Sequence, residues 1–334
     1  MQPRARAILG QVSDMDLRLL RVFKAVADCG GMAAAELELN IAMSTISRHV
    51  KDLETRLGLV LCRRGRGGFV LTPEGAQVYA ATERLLGAAA SFRGQLNDIQ
   101  NRMVGDLQVA VFEKTASNPQ ARIAAAIGAF RALAPKVVLH LHVGPIAMIE
   151  RGVIDGRYDL GIVPEHRRSD SLAYDPLFGE TMQLYAGRGH PWFGGRDAAR
   201  GWQALRRQAL AGLGYHSPNL DVAHAHRLER AASASDQEAV ATLVLSGAYV
   251  GFLPDHYAEA FVRTGRMRAV SPGRLAYPCR FSCIHRRSPA PQRIAQAFRD
   301  ALVDAHARAP EPESTPSGDA PPPPPPSALS RSRR

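Results

Sequence analysis

The sequence predicts an α/β protein with three consecutive parts: a small helical domain closed by a β-hairpin, one long helix, and a larger domain of alternating strands and helices. Three observations predict this organisation. Amphipathic helical segments precede residue 58, a seven-residue apolar repeat follows residue 73, and strand-like runs separated by helix-length segments follow residue 105. A chain of 334 residues, 46% of them hydrophobic, is long enough for two or more domains with cores.

The first domain is assigned to residues 14–72, after a leader (residues 1–13) that lacks periodicity. An apolar stripe at three- and four-residue spacings predicts its first helix and is formed by Leu17, Leu20, Val22, Phe23 and Val26. A short second helix is predicted over Met32–Leu39. A third is predicted from Ser44 to Leu57, and Gly58 ends it.

A β-hairpin is predicted next, over residues 59–72, which read LVLCRRGRGGFVLT. Two β-prone stretches, Leu59–Cys62 and Phe69–Thr72, flank a tip rich in glycine and arginine. A hairpin with a basic tip after three short helices is typical of the wing of a winged helix-turn-helix.

A long helix is assigned to residues 73–104, because Thr72-Pro73-Glu74 combines an N-cap, a proline at the first helical position and an early acid. Its apolar residues repeat with the alternating four- and three-residue spacing of a coiled coil. This repeat predicts a dimerisation helix whose contacts are Val78, Leu85, Ala89, Phe92, Leu96, Ile99 and Met103. The alternative is a helix that packs on its own domain.

The larger domain is assigned to residues 105–308, where strands alternate with helix-length segments as in parallel βαβ units. Residues 309–334 contain Pro, Ser, Glu and Arg, with six consecutive prolines. Such a composition cannot bury a core and predicts a disordered tail.

The net charge of +11 favours a nucleic-acid partner mainly because of where the charge lies. Six basic residues stand against two acidic ones between Arg48 and Arg66, and residues 263–308 contain ten arginines against two aspartates. Neither an apolar run of about 18 residues nor a secretory signal is found, so a cytoplasmic protein is predicted. Four scattered cysteines fit a reducing compartment. Cys279 and Cys283 are interpreted as buried free thiols, with metal ligation together with His285 as the alternative.

The most specific segment is residues 33–57, AAAELELNIAMSTISRHVKDLETRL. In a helix-turn-helix the second helix enters the major groove, and its first residues lie near base edges and phosphates. The residues predicted to contact DNA from this helix are Met43, Ser44, Thr45, Ser47, Arg48 and Lys51. Arg63, Arg64 and Arg66 on the hairpin are predicted to add phosphate or minor-groove contacts.

These runs, LLRVFKAVADCGG, STISRHVKDLETRLGLVLCRR and LTPEG, resemble the N-terminal domain of LysR-type transcriptional regulators. That family usually has Ser-Gln before the recognition helix, where this chain has Ala42-Met43, so a helix cap and a DNA-contacting amide are missing. The resemblance extends to about His306, and it implies an effector domain of two periplasmic-binding-protein-like subdomains with a ligand cleft between them. Subdomain I is expected over residues 105–184 and 269–308, and subdomain II over residues 185–268.

Ligands of open α/β sheets bind beyond the carboxyl ends of the strands. The residues at these ends predict an effector site formed by Thr115, Ser117, Asn118, Pro145, Ile146, Pro164, His166, Tyr215, Ser217, Asp236 and Gln237. Pro119 is expected to open a helix there, whose free N–H groups favour an anionic effector such as a carboxylate. For Ser117, Asn118 and Asp236 the alternative role is helix capping alone.

The predicted function is that of a transcriptional regulator that binds an interrupted inverted repeat in double-stranded DNA as a homodimer or homotetramer. The regulator is predicted to respond to a small-molecule effector. RNA polymerase is a further predicted partner if the regulator activates transcription. Two other readings are an α/β enzyme with an appended DNA-binding domain and a solute-binding protein. The sequence lacks the glycine-rich dinucleotide, nucleophile-elbow, phosphate-loop and zinc-protease motifs, so no catalytic residue, metal or cofactor is predicted.

Overall fold

The computed structural model of the chain describes residues 12–65, 68–99, 103–194 and 200–307. Most of the predicted leader, the wing residue Arg66 and the whole of the predicted tail therefore lie outside the described residues. None of the described helices is both long enough and apolar enough to cross a membrane.

The N-terminal domain contains three helices, α1 (Asp14–Asp28), α2 (Met32–Leu39) and α3 (Met43–Leu57). Helix α1 begins three residues before the first residue of its apolar stripe because Ser13 and Asp16 form a capping box, each side chain accepting from the other residue's backbone N–H. Helix α3 ends at Gly58, which adopts the left-handed conformation (φ 67°) that glycine tolerates best. The apolar faces of the three helices meet in a core formed by Leu19, Val22, Phe23, Val26, Ala35, Ile46, Val50 and Leu53.

The hairpin strands lie closer to its tip than the sequence pattern predicted. Strand β1 (Cys62–Gly65) pairs antiparallel with β2 (Gly68–Leu71), with Cys62 opposite Leu71 and Gly65 opposite Gly68. This register places Arg63 and Arg64 in a strand rather than in the tip. Buried Leu61 contributes its side chain to the helical core, and its backbone N–H donates to Glu54 Oε1 at 2.9 Å, so the preceding residues do not pair as a strand.

The long helix α4 (Pro73–Ile99) begins where the sequence predicted, since Thr72 Oγ1 accepts the Gly75 N–H at 2.9 Å. Met103 lies beyond this helix and packs against the core of the following domain. Its predicted place in the helical repeat is therefore wrong, because the described chain has left the helix by this residue.

The second domain is built on a nine-stranded mixed sheet in the order β4-β3-β5-β11-β6-β9-β7-β8, with β10 paired to β6. Its strands are β3 (Gly105–Val111), β4 (Val137–Val143), β5 (Leu160–Pro164), β6 (Leu172–Gly187), β7 (Leu210–Leu213), β8 (Arg230–Ala234), β9 (Val250–Pro254), β10 (Met267–Ala269) and β11 (Ala276–Arg286). Its α-helices are α5 (Ile123–Leu133), α6 (Ile146–Ile154), α7 (Trp202–Leu205), α8 (Pro218–Ala225), α9 (Gln237–Leu245), α10 (Asp255–Arg263) and α11 (Arg293–Ala307).

Two long antiparallel strands, β6 and β11, join the two halves of this sheet. Strand β6 pairs with β11 along its length up to Gln183 and with β9 from Met182 onward. The first half contains parallel β4, β3 and β5, and the second contains parallel β8, β7 and β9. The chain thus passes from one half to the other inside the long strands β6 and β11. The first crossing was expected near Tyr185, and pairing of β6 with β9 starts at Met182. The return was expected near Ala269, and β11 starts at Ala276.

Candidate DNA-binding and effector-binding sites

The start of α3 has no side-chain cap of its own, and a residue of α2 contributes in its place. Ala42 occupies the N-cap position without a side-chain hydrogen bond. Glu36 of α2 instead accepts the backbone N–H of Met43 at 3.2 Å. A carboxylate at a helix N-terminus accepts a hydrogen bond from a free N–H and interacts favourably with the helix dipole. Glu36 thereby supports the start of α3.

One face of α3 is open to solvent and carries most of the predicted DNA contacts. The side chains of Met43, Ser44, Arg48 and Lys51 are exposed, whereas Thr45 and Ser47 are half-buried. Lys51 is 75% exposed and lies 3.7 Å from Glu54. The opposite face is fixed by Ile46, Val50 and Leu53 in the core, so the exposed residues of this short, basic helix are held in one orientation.

The wing contributes one predicted contact whose side chain the structure describes. Arg63 in β1 is exposed. Arg64 lies in the same strand, its side chain outside the described part, as is the whole of Arg66. The exposure of Arg63 is compatible with its predicted contact to DNA.

Helix α4 exposes an apolar stripe, here called the seam and formed by Leu85, Ala89, Phe92 and Leu96. Phe92 is 61% exposed, Leu96 44% and Leu85 37%, while Ala89 is half-buried. Val78 instead packs against the N-terminal core, because the first turns of α4 lie on α1. Ile99 is the last residue of the helix, and its side chain lies outside the described part. The seam is therefore shorter than the predicted contact set.

The opposite side of α4 packs on the chain's own second domain. Glu83 forms an ion pair with Arg157, and Glu83 is only 9% exposed. Gly87 approaches the carbonyl oxygen of Gly156 so closely that an added Cβ would stand 3.0 Å from it. One face of α4 therefore packs on the second domain through Glu83 and Gly87, and the opposite face exposes the seam.

The effector cleft is closed by contacts that join its two halves. Glu113, after β3, accepts the backbone N–H of Gln237 at the start of α9, with 2.9 Å between Oε1 and N. Lys114 Nζ lies 2.6 Å from Glu238 Oε2 and 4.6 Å from the ring centroid of Tyr257. The end of β3 and the N-terminus of α9, predicted from separate sequence segments, therefore meet.

A second set of cleft contacts centres on His256 in α10. Its Nδ1 is 3.0 Å from Ser117 Oγ, and its Nε2 is 3.0 Å from Glu180 Oε2. The side chains of His256 and Glu180 are 6% and 5% exposed. Asn118 donates from Nδ2 to the Gly179 carbonyl at 3.1 Å, which fastens the same loop to β6.

The expected helix start at Pro119 is wrong. Residues Thr115–Ser117 form a short 3₁₀ turn, and α5 begins only at Ile123 after an N-cap, Arg122, that makes no side-chain hydrogen bond. Asn118 Oδ1 accepts the Gln120 N–H at 2.8 Å, an Asx-type turn that competes with helix formation. The argument for an anion site at this position therefore loses its structural basis.

Several predicted effector contacts serve the fold instead. Ile146 is fully buried in the core, and Pro164 is buried at the end of β5. Thr115 is buried, and Ser217 is 1% exposed, its Oγ donating to the Tyr215 carbonyl at 3.3 Å. Pro145 is exposed at the N-cap of α6. Apolar and small residues at strand ends pack as readily as they contact ligands, so their position alone could not distinguish the two roles.

Three of the predicted effector residues carry buried polar atoms without a hydrogen-bond partner in the described part of the chain. These atoms are His166 Nδ1, the Tyr215 hydroxyl and Gln237 Oε1. The ring of His166 lies 5.2 Å from that of His216, across the two halves. Such atoms are rare inside folded proteins, and each marks a place that a ligand or water can satisfy.

The electrostatics of the cleft follow from its burial. Desolvation raises the pKa of Glu113 to about 7, and Asp236 adds to the rise, while the Gln237 N–H opposes it. Desolvation also raises the pKa of Glu180, although its bond to His256 acts the other way. The pKa of Asp236 is lowered, chiefly by the Ala239 N–H that this N-cap accepts. Asp236 is therefore a cap, as the alternative reading had it.

Sequence reasoning missed Glu113, Lys114, Glu180, Glu238 and His256. Glu113 and Lys114 directly follow a predicted strand, so the strand-end rule could have included them. Glu180 and His256 are 76 residues apart and meet only through the pairing of the sheet. No local motif indicates such a pair.

Cys279 and Cys283 are free and buried, and burial raises the pKa of the Cys283 thiol to about 12. Within the described ranges, no group of three or more His, Cys, Asp or Glu side chains is arranged to hold a metal ion. These thiols therefore pack as small apolar groups.

Two family models match the chain. The model described as "LysR substrate binding domain" matches residues 100–307, and the one described as "Bacterial regulatory helix-turn-helix protein, lysR family" matches residues 17–76. Together they cover the α1–α3 domain with its hairpin and the whole described second domain.

Curated relatives are transcriptional regulators and activators rather than enzymes. The HTH-type transcriptional activator BauR of Pseudomonas aeruginosa is 38% identical over 295 residues, which cover 88% of this chain and 97% of BauR. The SDS degradation transcriptional activation protein of a Pseudomonas species is 26% identical over 306 residues, which cover 88% of this chain and 98% of that protein.

Solved structures of full-length regulators share the fold. CbnR, described as a LysR family transcriptional regulator, superposes with a TM-score of 0.60 at 21% identity, over 87% of this chain and 99% of CbnR. Full-length CbnR in complex with its target DNA gives a TM-score of 0.58 at 22% identity, over 86% of this chain and 99% of that one. The helix-turn-helix, the long helix and the two-part α/β domain thus occur in the same order, and the chain belongs to the LysR family of DNA-binding transcriptional regulators.

Proposed function

We propose that the chain binds an interrupted inverted repeat in double-stranded DNA as a homodimer or homotetramer, and that a small molecule in the cleft modulates operator binding or promoter activation. The observation that carries this proposal is the exposed basic face of α3, held rigidly beside a helix with an exposed apolar seam. Because its target is bacterial DNA, the protein acts in the cytoplasm. The activator BauR as a relative favours activation, with RNA polymerase as a further partner.

DNA recognition is assigned to the N-terminal half of α3. Ser44 allows a close approach of the helix to the duplex, while Arg48 and Lys51 are long enough to reach bases or phosphates. Met43, Thr45 and Ser47 are assigned to the same surface. On the wing, Arg63, Arg64 and Arg66 are assigned to contacts with the DNA backbone. The exposure of Met43, Ser44, Arg48, Lys51 and Arg63 supports the assignment.

Dimerisation is assigned to the seam of α4. A dimer carries two α3 helices, so its half-sites must lie on one face of the duplex, about one helical turn or a multiple apart. Burial of Leu85, Phe92 and Leu96 against a second copy removes from water the apolar surface that the single chain leaves exposed.

The effector is assigned to the cleft between the two halves of the second domain. The unpartnered atoms of His166, Tyr215 and Gln237 support this assignment, because they come from different segments and both sides of the cleft. Ligand pockets of this kind lie where polar groups from several segments converge.

The test of the proposed function is an operator-binding measurement with Arg48→Ala. Loss of a contact to a base edge should cost about 1–3 kcal/mol per subunit, which corresponds to about tenfold or more in affinity. The matched control is Arg263→Ala, which removes an arginine that is 73% exposed on α10. Affinities are measured by gel shift at one fixed salt concentration, with thermal unfolding as the check on folding. Equal affinities of Arg48→Ala and the unaltered protein would show that α3 does not read the operator.

A further inference from the structure

The cleft between the end of β3 and the start of α9 holds more negative than positive charge. Glu113, Asp236 and Glu238 meet there, and Lys114 is the cation that lies beside them. Lys114 pairs with Glu238 and lies over the ring of Tyr257. In the described part of the chain, Glu113 and Asp236 are left with hydrogen-bond donors but no ion pair.

Two buried polar atoms of this region have no hydrogen-bond partner in the described part of the chain. Gln237 is only 3% exposed, and its Oε1 is unpartnered although its backbone N–H is bound by Glu113. The hydroxyl of Tyr215 is also buried and unpartnered, and it interacts electrostatically with Glu113 and Asp236. A carbonyl oxygen can only accept, and a phenol oxygen can accept as well as donate. These atoms and the Glu113 carboxylate can therefore all accept hydrogen bonds from a ligand.

We propose that the effector carries a primary ammonium group, which binds at the start of α9 and donates to the Glu113 carboxylate, Gln237 Oε1 and the Tyr215 hydroxyl. This inference rests on the effector cleft assigned above. An ammonium group offers three N–H donors and one positive charge, which matches three acceptors among side chains with an excess of negative charge. The rest of the molecule extends toward His166 and His216.

The charge already present at α9 argues against an anion in the same position. The first turn of this helix is bound by two of the chain's own carboxylates, because Asp236 accepts the Ala239 N–H and Glu113 accepts the Gln237 N–H. A ligand carboxylate would be a third negative group next to them and would find these N–H donors taken. The expected anionic effector can bind here only through a separate cationic end.

The ionisation of Glu113 supplies a measurable signature. Its pKa is raised to about 7, and the charged groups facing it are Lys114 from its own loop and Asp236 and Glu238 from α9, with Tyr215 opposite. Ammonium binding favours the ionised carboxylate. Amine affinity should therefore fall about tenfold per pH unit below that pKa and level off above it.

The experiment is a binding screen on the full-length protein by thermal shift and titration calorimetry. The probes are aliphatic primary amines of increasing chain length, some carrying a carboxylate or hydroxyl group. Each is paired with the analogue in which a hydroxyl replaces the amino group and with the N-acetyl derivative. We expect some amines to bind and their two analogues not to bind, since neither analogue carries the charge.

Variants separate the proposed contacts from general effects. Glu113→Gln should lower amine affinity by about tenfold to a hundredfold and abolish its pH dependence near neutrality. Tyr215→Phe is the milder second variant and should weaken binding without changing the pH profile. Glu259→Gln removes a carboxylate of α10 that is 68% exposed and pairs with Arg263 rather than with the proposed contacts, so it should leave amine affinity unchanged.

Two outcomes overturn the proposal. One is binding of the hydroxy or acetyl analogues as tightly as the amines, or of simple carboxylates in their place. The other is the absence of binding by every amine in the series. Neither outcome affects the result of the operator-binding test with Arg48→Ala. Failure of the ammonium site and failure of the regulator function can therefore be distinguished.

Discussion

Single buried polar residues fix the angle at which the recognition helix stands. Asp16 is fully buried near the start of α1, and its Oδ1 lies 2.5 Å from Arg56 Nε near the end of α3. Arg56 Nη2 adds a second bond to Oδ2 at 3.2 Å. The two-point geometry of arginine and carboxylate restricts rotation as well as distance. This pair ties the recognition helix to the first helix of the domain.

The stability provided by Asp16 should depend on pH. The Arg56 side chain, followed by Ser13, lowers the pKa of Asp16 from 3.8 to about 2. For a carboxylate with a lowered pKa, the stabilisation is full above the unfolded-state pKa and is lost as the pH falls through the folded-state pKa. The free energy of unfolding lost in Asp16→Asn should therefore be constant near neutral pH and shrink as the pH falls from about 4 to about 2.

Urea unfolding across this pH range measures the difference between Asp16→Asn and the unaltered protein. Asp14→Asn is the matched control, because it removes an exposed carboxylate from the same first turn. A difference that stayed constant down to the lowest pH would contradict the role assigned to the ion pair.

The replacement of a missing cap shows how far residue-level prediction reaches. The sequence identifies Ala42 as a residue that cannot cap α3. It does not identify Glu36, six residues earlier, as the acceptor for Met43. That contact depends on the angle between α2 and α3, which the intervening turn with Asn40 in the left-handed conformation sets.

At the scale of elements, α4 combines two functions on two faces. Its seam is exposed, while Glu83 and Gly87 pack on the second domain. The seven-residue repeat predicted the exposed stripe because the heptad spacing of apolar residues can be read from the sequence of a single helix. The repeat was misleading at both ends, where Val78 and Met103 found apolar partners within the chain.

Phe92→Glu should convert the proposed dimer to monomers. Phe92 is 61% exposed in the single chain, so the substitution removes little packing within it. In a dimer the same side chain is buried, and its loss costs about 3–5 kcal/mol, with an added charge at the interface. Sedimentation equilibrium should show a rise in the dissociation constant of several orders of magnitude and a corresponding loss of operator affinity.

The matched control is Ala88→Glu, an exposed position beside the seam on the same helix. Glutamates flanking such a seam are common in natural dimers, so this variant should remain associated. If the Phe92→Glu protein stayed dimeric while the Ala88→Glu protein became monomeric, the interface would have to lie on another face of α4.

At the scale of the whole molecule, polar side chains of α4 connect the N-terminal domain to the second domain. Tyr79 of α4 bonds to Asp28 of α1 and to Glu83 at 3.1 Å, and Glu83 pairs with Arg157 of the second domain. These contacts border an open cleft of about 500 Å³ between the domains. One chain of polar contacts therefore runs from α1 to the second domain.

A double-mutant cycle on Glu83→Ala and Arg157→Ala should show coupling between the domains. Arg157 is 40% exposed, so solvent screens the pair, and a coupling energy of about 0.5–1 kcal/mol is expected. Urea unfolding of the four proteins measures it. A cycle with Arg84→Ala in place of Arg157→Ala serves as the control, and strictly additive effects of the first pair would mean that the ion pair does not hold the junction.

Local regularities explain why much of the fold was predictable. Amphipathic spacing, the Thr72-Pro73 helix start and the helix end at Gly58 act within a few residues, and they predicted all four helices, α1 to α4. The strand-end rule also identified Tyr215 and Gln237, both with unpartnered buried atoms. The rule could not separate them from Ile146, which has the same position but belongs to the core.

The sequence by itself determined the helix-turn-helix, the apolar seam and the alternating α/β domain, because each depends on a periodic pattern of side chains along the chain. Only the tertiary structure decided which charges share the cleft. Glu113 meets Gln237 across 124 residues, and Glu180 meets His256 across 76. Such contacts depend on how the strands of the sheet pair, and their burial rather than their residue type shifts the pKa of Glu113 and leaves Gln237 without a donor.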